Sequence, residues 1–498
     1  MNYEDRKRDE MEYPIDLLTV GPSSSLRVVM QQLAASGTRV LFVVDAGLLV
    51  GSVSDGDVRR ALLSGLTLDD PIAEAMNRTL SVARATDDIV TVHEQFRQGV
   101  TLLPIVSETG HLVRVIDRPS DLFVPIAEPN LSPIESSLVN ECLRSNWISS
   151  AGHFVSDFER AFESYLGGGT AVSVSNGTLG LVLALHSLGV GPGDEVIVPD
   201  VTFGATANAV TQVGARAVLV DIDPRTWGLS AESVAAGLSP RTKAVIAVHL
   251  YGHPVEMEPL VRLCESHGVL LIEDCAEAIG SRILGEHVGL AGDAGVFSFF
   301  ANKTITTGEG GMVVFRESAV AAKSRKARSH GFDPGRRYWH DEWGTNFRLT
   351  NLQAALGLGQ MSRVEELVER KRALAKAYQH LLEPLLPHGL DLPREQPWAT
   401  SSFWLYTVLC PDNVNRDEIG RVLADSGVES RPMFYPLSIQ PAFSDAVRRL
   451  PQDPHSHRIA QRGLSLPSGT TMTPRTLEYV ADLFSQAFLN ASVPQQRD

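Results

Sequence analysis

Lys303 stands between an aromatic run, Phe297-Ser298-Phe299-Phe300, and a turn rich in glycine, Thr306-Thr307-Gly308-Glu309-Gly310-Gly311. A lysine amine that is deprotonated and held in place forms Schiff bases with carbonyl compounds. Glycines nearby let a backbone approach closely or turn with positive φ. The alternative, a solvated surface lysine, fits a polar neighbourhood better than one beside Phe299 and Phe300. Upstream, Glu273-Asp274-Cys275-Ala276-Glu277 directly follows an apolar run. A carboxylate there can pair with a protonated ring nitrogen, or can cap a helix, for which Asp is a preferred residue. Taken alone, that segment favours the cap. Further upstream, Ser175-Asn176-Gly177-Thr178 opens the apolar helical run Leu179–Leu188. It offers free N–H groups and the positive end of a helix dipole to a phosphate, although most such turns only cap helices. In that order on one parallel sheet, a phosphate turn, an Asp and a Lys are the parts a pyridoxal 5'-phosphate site requires. The phosphate must be anchored, the pyridine nitrogen kept protonated, and an amine supplied.

The elements that must position these residues alternate. Asp194–Val198, Ala217–Val220, Ala244–Val248, Val269–Ile272 and Gly295–Phe299 read as strands. Continuous apolar runs of this kind suit strands covered on both faces. The order predicts an α/β domain with a mostly parallel sheet, whose ligands sit at the carboxyl ends of the strands. A helical stretch from Leu352 to His380 leads into a smaller α+β segment. The expected division is a repeat-containing domain over 1–124, a linker over 125–135 with three prolines, a large domain over 136–375 and a small one over 376–498.

The first 124 residues repeat themselves. Leu18–Val20, a helical run Leu26–Ala35, Val40–Asp45 and Leu49–Asp57 form one copy. Leu80–Val82, a helix Ile89–Phe96, Leu102–Val106 and Leu112–Asp117 form the second. Two such copies bury one shared face. This part resembles a tandem pair of CBS motifs, a family whose pairs often bind adenine nucleotides. The resemblance implies a ribose contact from Ser54 and Asp57. The second copy departs from the motif, with Ile116 where a hydroxyl is expected and Pro119 interrupting the segment. A packing or dimerisation module without a ligand is an equal reading.

Net charge is −15 and the isoelectric point about 5.4. Nucleic acid and anionic membrane surfaces are therefore not expected partners. The four cysteines are scattered without zinc-ligand spacing, so no metal site is expected and the thiols read as buried and reduced. The charged start of the chain lacks the apolar core of a signal peptide, and no run is long enough to span a bilayer. A cytoplasmic protein is expected.

From about residue 129 to 490 the chain resembles the DegT/DnrJ family of sugar aminotransferases, pyridoxal enzymes of fold type I. The likeness rests on Trp147–Gly152, Ser175–Thr178, Val248–Pro254, Glu273–Gly280 and Asn302–Gly311 in combination. Gly252-His253-Pro254, Tyr338-Trp339-His340 and Ser430–Pro436 narrow it to members that aminate C4 of GDP-4-keto-6-deoxymannose. The resemblance implies that Lys303 carries the cofactor and shuttles protons, that Asp274 holds the pyridine N–H, and that Glu277 lies near the ring hydroxyl. It implies that Phe203 stacks on the ring and that Gly177, Thr178 and Ser298 bind the phosphate. Asn346 would reach that phosphate from a partner subunit, making a homodimer part of the site. L-Glutamate is the implied donor, the product serving surface polysaccharide or amino-sugar synthesis. His340 and Arg431 are candidates for the nucleotide sugar, against a loop histidine and a structural ion pair. Two departures stand out: Thr345 replaces a usual Tyr, and Gly204 a bulkier apolar residue. Two other readings are a regulatory sensor that binds the cofactor, and a nucleotide-sugar dehydratase. In dehydratases of this fold a His takes the lysine's place, which Lys303 disfavours.

Overall fold

The computed structural model describes residues 15–492, apart from 88–90, 93, 94, 96–99, 101, 117–122, 334, 337 and 343. The chain forms two compact units, the first running to Val124 and also taking in Ala424–Gly427 and Thr473–Tyr479, the second holding the rest.

In the first unit β1 (Thr19–Val20) pairs parallel with β2 (Val40–Asp45), which pairs antiparallel with β3 (Leu48–Ser54). The second copy has the same order and the same senses, through β4 (Ala83–Arg84), β5 (Leu103–Val106) and β6 (Leu112–Ile116). The β2–β3 and β5–β6 turns bond to each other, Leu49 N–H to the Gly110 carbonyl at 3.1 Å and Leu112 N–H to the Gly47 carbonyl at 3.0 Å. In the first copy the helix Leu26–Ser36 starts at a Ser25 cap and ends at Gly37, whose φ of 66° suits glycine. Pairing in the second copy begins at Ala83, later than the run Leu80–Val82. Burial explains the shift: Ala83 is enclosed, whereas Val82 faces solvent. The helix expected over Ile89–Phe96 falls largely outside the described residues, as do Asp117 and Pro119.

The second unit contributes β7 (Thr170–Val174), β8 (Glu195–Pro199), β9 (Arg216–Val220), β10 (Thr242–Val248) and β11 (Leu270–Asp274). A short hairpin, β12 (Arg282–Ile283) and β13 (Glu286–His287), precedes β14 (Ala294–Ser298) and β15 (Gly311–Phe315). After β16 (Ala399–Thr400) come β17 (Tyr406–Leu409), β18 (Arg431–Pro432), β19 (Val447–Arg449) and β20 (Gly463–Leu466). The main sheet has the order β19-β9-β8-β10-β11-β14-β15-β7. Neighbours run parallel from β19 to β14, and β15 is antiparallel to both of its partners. The mostly parallel α/β sheet is as expected. β7 and β15 lie outside the strands expected from the sequence, because short β-runs beside Gly-rich turns carry little periodicity.

Successive residues of a strand face opposite layers, and β8 divides accordingly. Val196 and Val198 pack with Leu181 and Leu185 of the helix Gly177–Ser187, while Ile197 packs with Val234 and with Leu260 of the helix Met257–His267. Each such side chain contributes roughly 1.5–3 kcal/mol on burial, which fixes where the strand ends point. The helix expected over Leu352–His380 is two helices, Asn351–Met361 and Val364–Leu382, separated at Arg363 with φ −123° and ψ 8°. The cause is tertiary: the Arg363 guanidinium donates to Asn130 Oδ1 at 3.0 Å and pairs with Glu135 at 3.3 Å. The helix Pro133–Ser145, capped by Ser132, begins inside the proline-bearing stretch expected to be linker. Among the described residues no helix is long and apolar enough to cross a membrane.

Candidate active site

Asp274 is the last residue of β11, in register with Val248 at the end of β10 and with Val296 of β14. A turn, and no helix, follows it, so the capping role has nothing to cap. Its buried carboxylate accepts from Thr206 Oγ1 at 2.9 Å and from the Ala276 N–H at 3.2 Å. Burial raises the Asp274 carboxyl, while those two donors and the nearby Lys303 charge oppose the rise.

Lys303 follows β14 by a few residues, in a turn where its N–H donates to the Phe300 carbonyl at 2.9 Å. Its amine lies 3.9 Å from Glu277 Oε1 and 3.5 Å from the centroid of the Trp404 ring. Glu277 is buried and accepts the Tyr251 N–H on its other oxygen at 2.8 Å. Burial pushes the Lys303 amine down and the Glu277 carboxyl up, and each charge opposes the other's shift. Tyr251 holds a positive φ of 52°, and backbone strain of that kind collects at functional sites. Next to it Gly252 has φ 94°, and a Cβ there would lie 2.9 Å from the Phe403 nitrogen and 3.0 Å from the Trp404 nitrogen. Only glycine lets these two backbones cross so closely, and the crossing delivers Trp404 to Lys303.

His249, directly after β10, accepts the Val255 N–H on Nδ1 at 3.0 Å. Nε2 therefore carries the proton that goes to Glu273, 3.1 Å away. Glu273 also accepts from the Gly289 and Gly292 N–H groups, both at 2.8 Å. His249, Glu273 and Cys275 lie close enough together to hold a metal ion, but these bonds already occupy the imidazole and the carboxylate.

The Ser175–Thr178 turn lies against the same strand ends. Asn176 caps the helix Gly177–Ser187 by accepting the Leu179 N–H at 2.9 Å. The N–H groups of Gly177 and Thr178 belong to the first helical turn and have no intrahelical acceptor. A Cβ at Gly177 would lie 3.1 Å from that of Ser298, so the turn and the end of β14 form one cradle. Thr178, Phe203 and Arg431 line a single cleft. Phe203 is 61% exposed and its ring lies 5.8 Å from the Phe434 ring, which stacks on Tyr251 at 5.3 Å. Arg431 faces that cleft while donating to Glu429 at 2.8 and 2.9 Å.

Asp274, Glu277 and Lys303 are thus joined in one buried cluster, with Thr178, Phe203 and Arg431 in the cleft. Asn346 and His340 have other partners within the chain. Asn346 is exposed and accepts from Arg348 at 2.9 Å, and His340 bonds the His330 carbonyl at 2.7 Å. In the other unit, Ser54 and Asp57 form a capping box on the helix Asp55–Leu63, with Ser54 N–H to Asp57 at 2.8 Å and Asp57 N–H to Ser54 Oγ at 3.3 Å. Thr206, Tyr251, Trp404 and the buried Lys371 join the same cluster without being expected from the sequence. Tyr251 falls in the Val248–Pro254 segment that carries the family resemblance and Thr206 lies three residues beyond Phe203, whereas Trp404 and Lys371 carry no local signal.

The DegT/DnrJ/EryC1/StrS aminotransferase family model matches residues 130–485, and the CBS domain model matches residues 12–64. The chain is 38% identical to GDP-perosamine synthase of Escherichia coli O157:H7 over 74% of its length and 99% of that protein. It is 42% identical to GDP-perosamine synthase of Caulobacter vibrioides over 74% of its length and 98% of that protein. Among solved structures it resembles the aminotransferase TlmJ from Streptoalloteichus hindustanus, with a TM-score of 0.70 and 34% identity, covering 74% of this chain and all of that one.

Proposed function

The chain belongs to the DegT/DnrJ/EryC1/StrS aminotransferase family, and on that premise we propose that it moves an amino group from L-glutamate to C4 of GDP-4-keto-6-deoxymannose. At the coarser level it is a pyridoxal phosphate-dependent sugar aminotransferase that acts on a nucleotide sugar, with a CBS domain at its N-terminus. The choice of GDP sugar draws on the two perosamine synthases. The product would serve surface polysaccharide or amino-sugar synthesis in the cytoplasm.

The residues fit the cofactor. Each Asp274 oxygen has one donor, which leaves capacity for a ring N–H. The N–H groups at Gly177 and Thr178, beside Ser298, suit a phosphate. Lys303 offers an amine that burial biases toward the neutral form. Bound pyridoxal phosphate supplies an electron-withdrawing ring that stabilises negative charge developing on a substrate carbon. Asp274 keeps the ring nitrogen protonated by placing a charge against it. Lys303 carries the cofactor and, when free, takes a proton at Nζ from the donor's α-carbon. Glu277 holds charge beside that amine, near the ring hydroxyl. Phe203 covers the ring face, Arg431 and His340 receive the nucleotide sugar, and Asn346 of a second copy reaches the phosphate. The N-terminal unit would take an adenine nucleotide, with Ser54 and Asp57 at the ribose.

The observation that carries this reading is the buried Lys303 amine 3.9 Å from Glu277, with the buried Asp274 carboxylate near enough to act on its charge. Its test is a panel of 4-keto and 3-keto sugars linked to GDP, UDP or dTDP, offered with glutamate and followed by mass. Amination of the GDP-4-keto sugar alone is the expected result. Preference for another nucleotide or for the 3-keto series overturns the substrate, and no amination of any of them overturns the activity.

A further inference from the structure

Trp404 is held at both ends, and Lys303 sits on its face. The indole Nε1–H donates to the carbonyl of Asn302, directly before Lys303, at 2.9 Å. The Trp404 carbonyl in turn accepts from Lys371 Nζ at 2.9 Å, and the same buried amine also donates to the Ser468 carbonyl. Tyr251 stacks on the indole, with ring centroids 6.3 Å apart and planes 18° from parallel. The Lys303 amine lies 3.5 Å above the ring centroid, well inside the distance at which an aromatic face attracts a cation.

We infer that Trp404 is a positioning residue for Lys303, its indole face being the seat on which the free lysine ammonium rests. The inference depends for its meaning on Lys303 being the cofactor lysine, but the seat exists in the protein whether or not the enzyme turns over. A lysine that alternates between a bound and a free state needs somewhere to go when released, close by and without loss of orientation. The groups facing Lys303 divide by sign. Glu277 and Asp274 favour its charge, and Arg431 and Lys371 oppose it. The ring face adds a neutral group that favours the ammonium without competing for its proton. The bond to the Asn302 carbonyl ties the same indole to the backbone that carries the lysine, so seat and side chain move together.

The test reads the amine directly. In full-length protein stripped of cofactor, Lys303 is labelled with an amine-acylating reagent across a pH series and quantified by peptide mass spectrometry. Trp404→Leu removes the ring face, so the labelling midpoint should fall by about half to one and a half pH units, with labelling below the midpoint about 3- to 30-fold faster. Trp404→Phe keeps a ring face and should recover most of the shift. An unchanged or raised midpoint in Trp404→Leu overturns the inference. Should that variant fail to fold, the wild type decides. Its tryptophan emission should step with pH at the Lys303 labelling midpoint, and Lys303→Met should abolish the step. No step, or a step that survives in Lys303→Met, overturns the inference. An enzyme that aminates none of the sugars leaves this measurement intact, so the two claims fail separately.

Discussion

The Lys303 amine and the Glu277 carboxylate, 3.9 Å apart, are driven toward neutrality from opposite directions. Burial penalises both charges, and each relieves the other's penalty. Glu277→Gln removes the carboxylate that favours the ammonium, so the Lys303 amine should fall further below its usual range. A proton-accepting amine then stays neutral to lower pH, and the acid limb of kcat should move down the pH scale. A limb that stays in place or moves up would rule out Lys303 as the group it reports.

Lys303→Ala should lower turnover by at least about 100-fold, the lower range of what a positioned acid–base group contributes. The visible absorbance of lysine-bound cofactor should vanish with it. Near-normal amination by this variant would remove the assignment.

Asp274→Asn exchanges a buried carboxylate for a neutral amide that can still accept from Thr206. Losing the charge opposite a ring nitrogen costs that nitrogen roughly 1–3 pKa units of protonation, so turnover should fall about 10- to 1,000-fold. Cofactor binding, followed by absorbance after dialysis, separates this loss from simple release.

His249→Phe leaves Glu273 ionised and buried with two N–H donors in place of three. A hydrogen bond to a buried charge is worth about 1.5–3 kcal/mol, and urea unfolding should show a loss of that size. An unchanged midpoint would mean that Glu273 does not depend on the imidazole.

His287 is pushed down to about 4, chiefly by burial, with the Arg282 charge adding to it. Because the folded value lies below the usual 6.5, its stabilising effect is complete above pH 6.5 and is lost as pH falls toward 4. The urea midpoint of the wild type should decline across that window, and His287→Phe should flatten the decline. Parallel curves would assign the acid sensitivity elsewhere.

Much of this site is legible in the sequence. Asp274, Lys303 and the Gly177–Thr178 turn are polar residues beside apolar strands, and in a parallel sheet such positions converge at the strand ends. Trp404 and Lys371 were not legible. Lys371 sits among Val-Glu-Glu-Leu-Val-Glu-Arg-Lys-Arg, which reads as a solvated helix face, yet it is only 2% exposed because the Trp404 and Ser468 carbonyls satisfy it. The break at Arg363 was hidden for a related reason, since its cause is a contact with Asn130 and Glu135 far away in sequence. Local pattern reports which residues prefer water, and long-range partners can overrule it.

The pairing of β19 with β9 orders events on the ribosome. The outer edge of β9 leaves the exit tunnel long before Val447–Arg449 has been made, so the nascent sheet carries an open row of amides and carbonyls through most of synthesis. Bare strand edges of this kind recruit other chains. Translation that stalls before residue 449 therefore leaves a product prone to sticking to its neighbours, and completion of the C-terminal stretch is what closes that exposure.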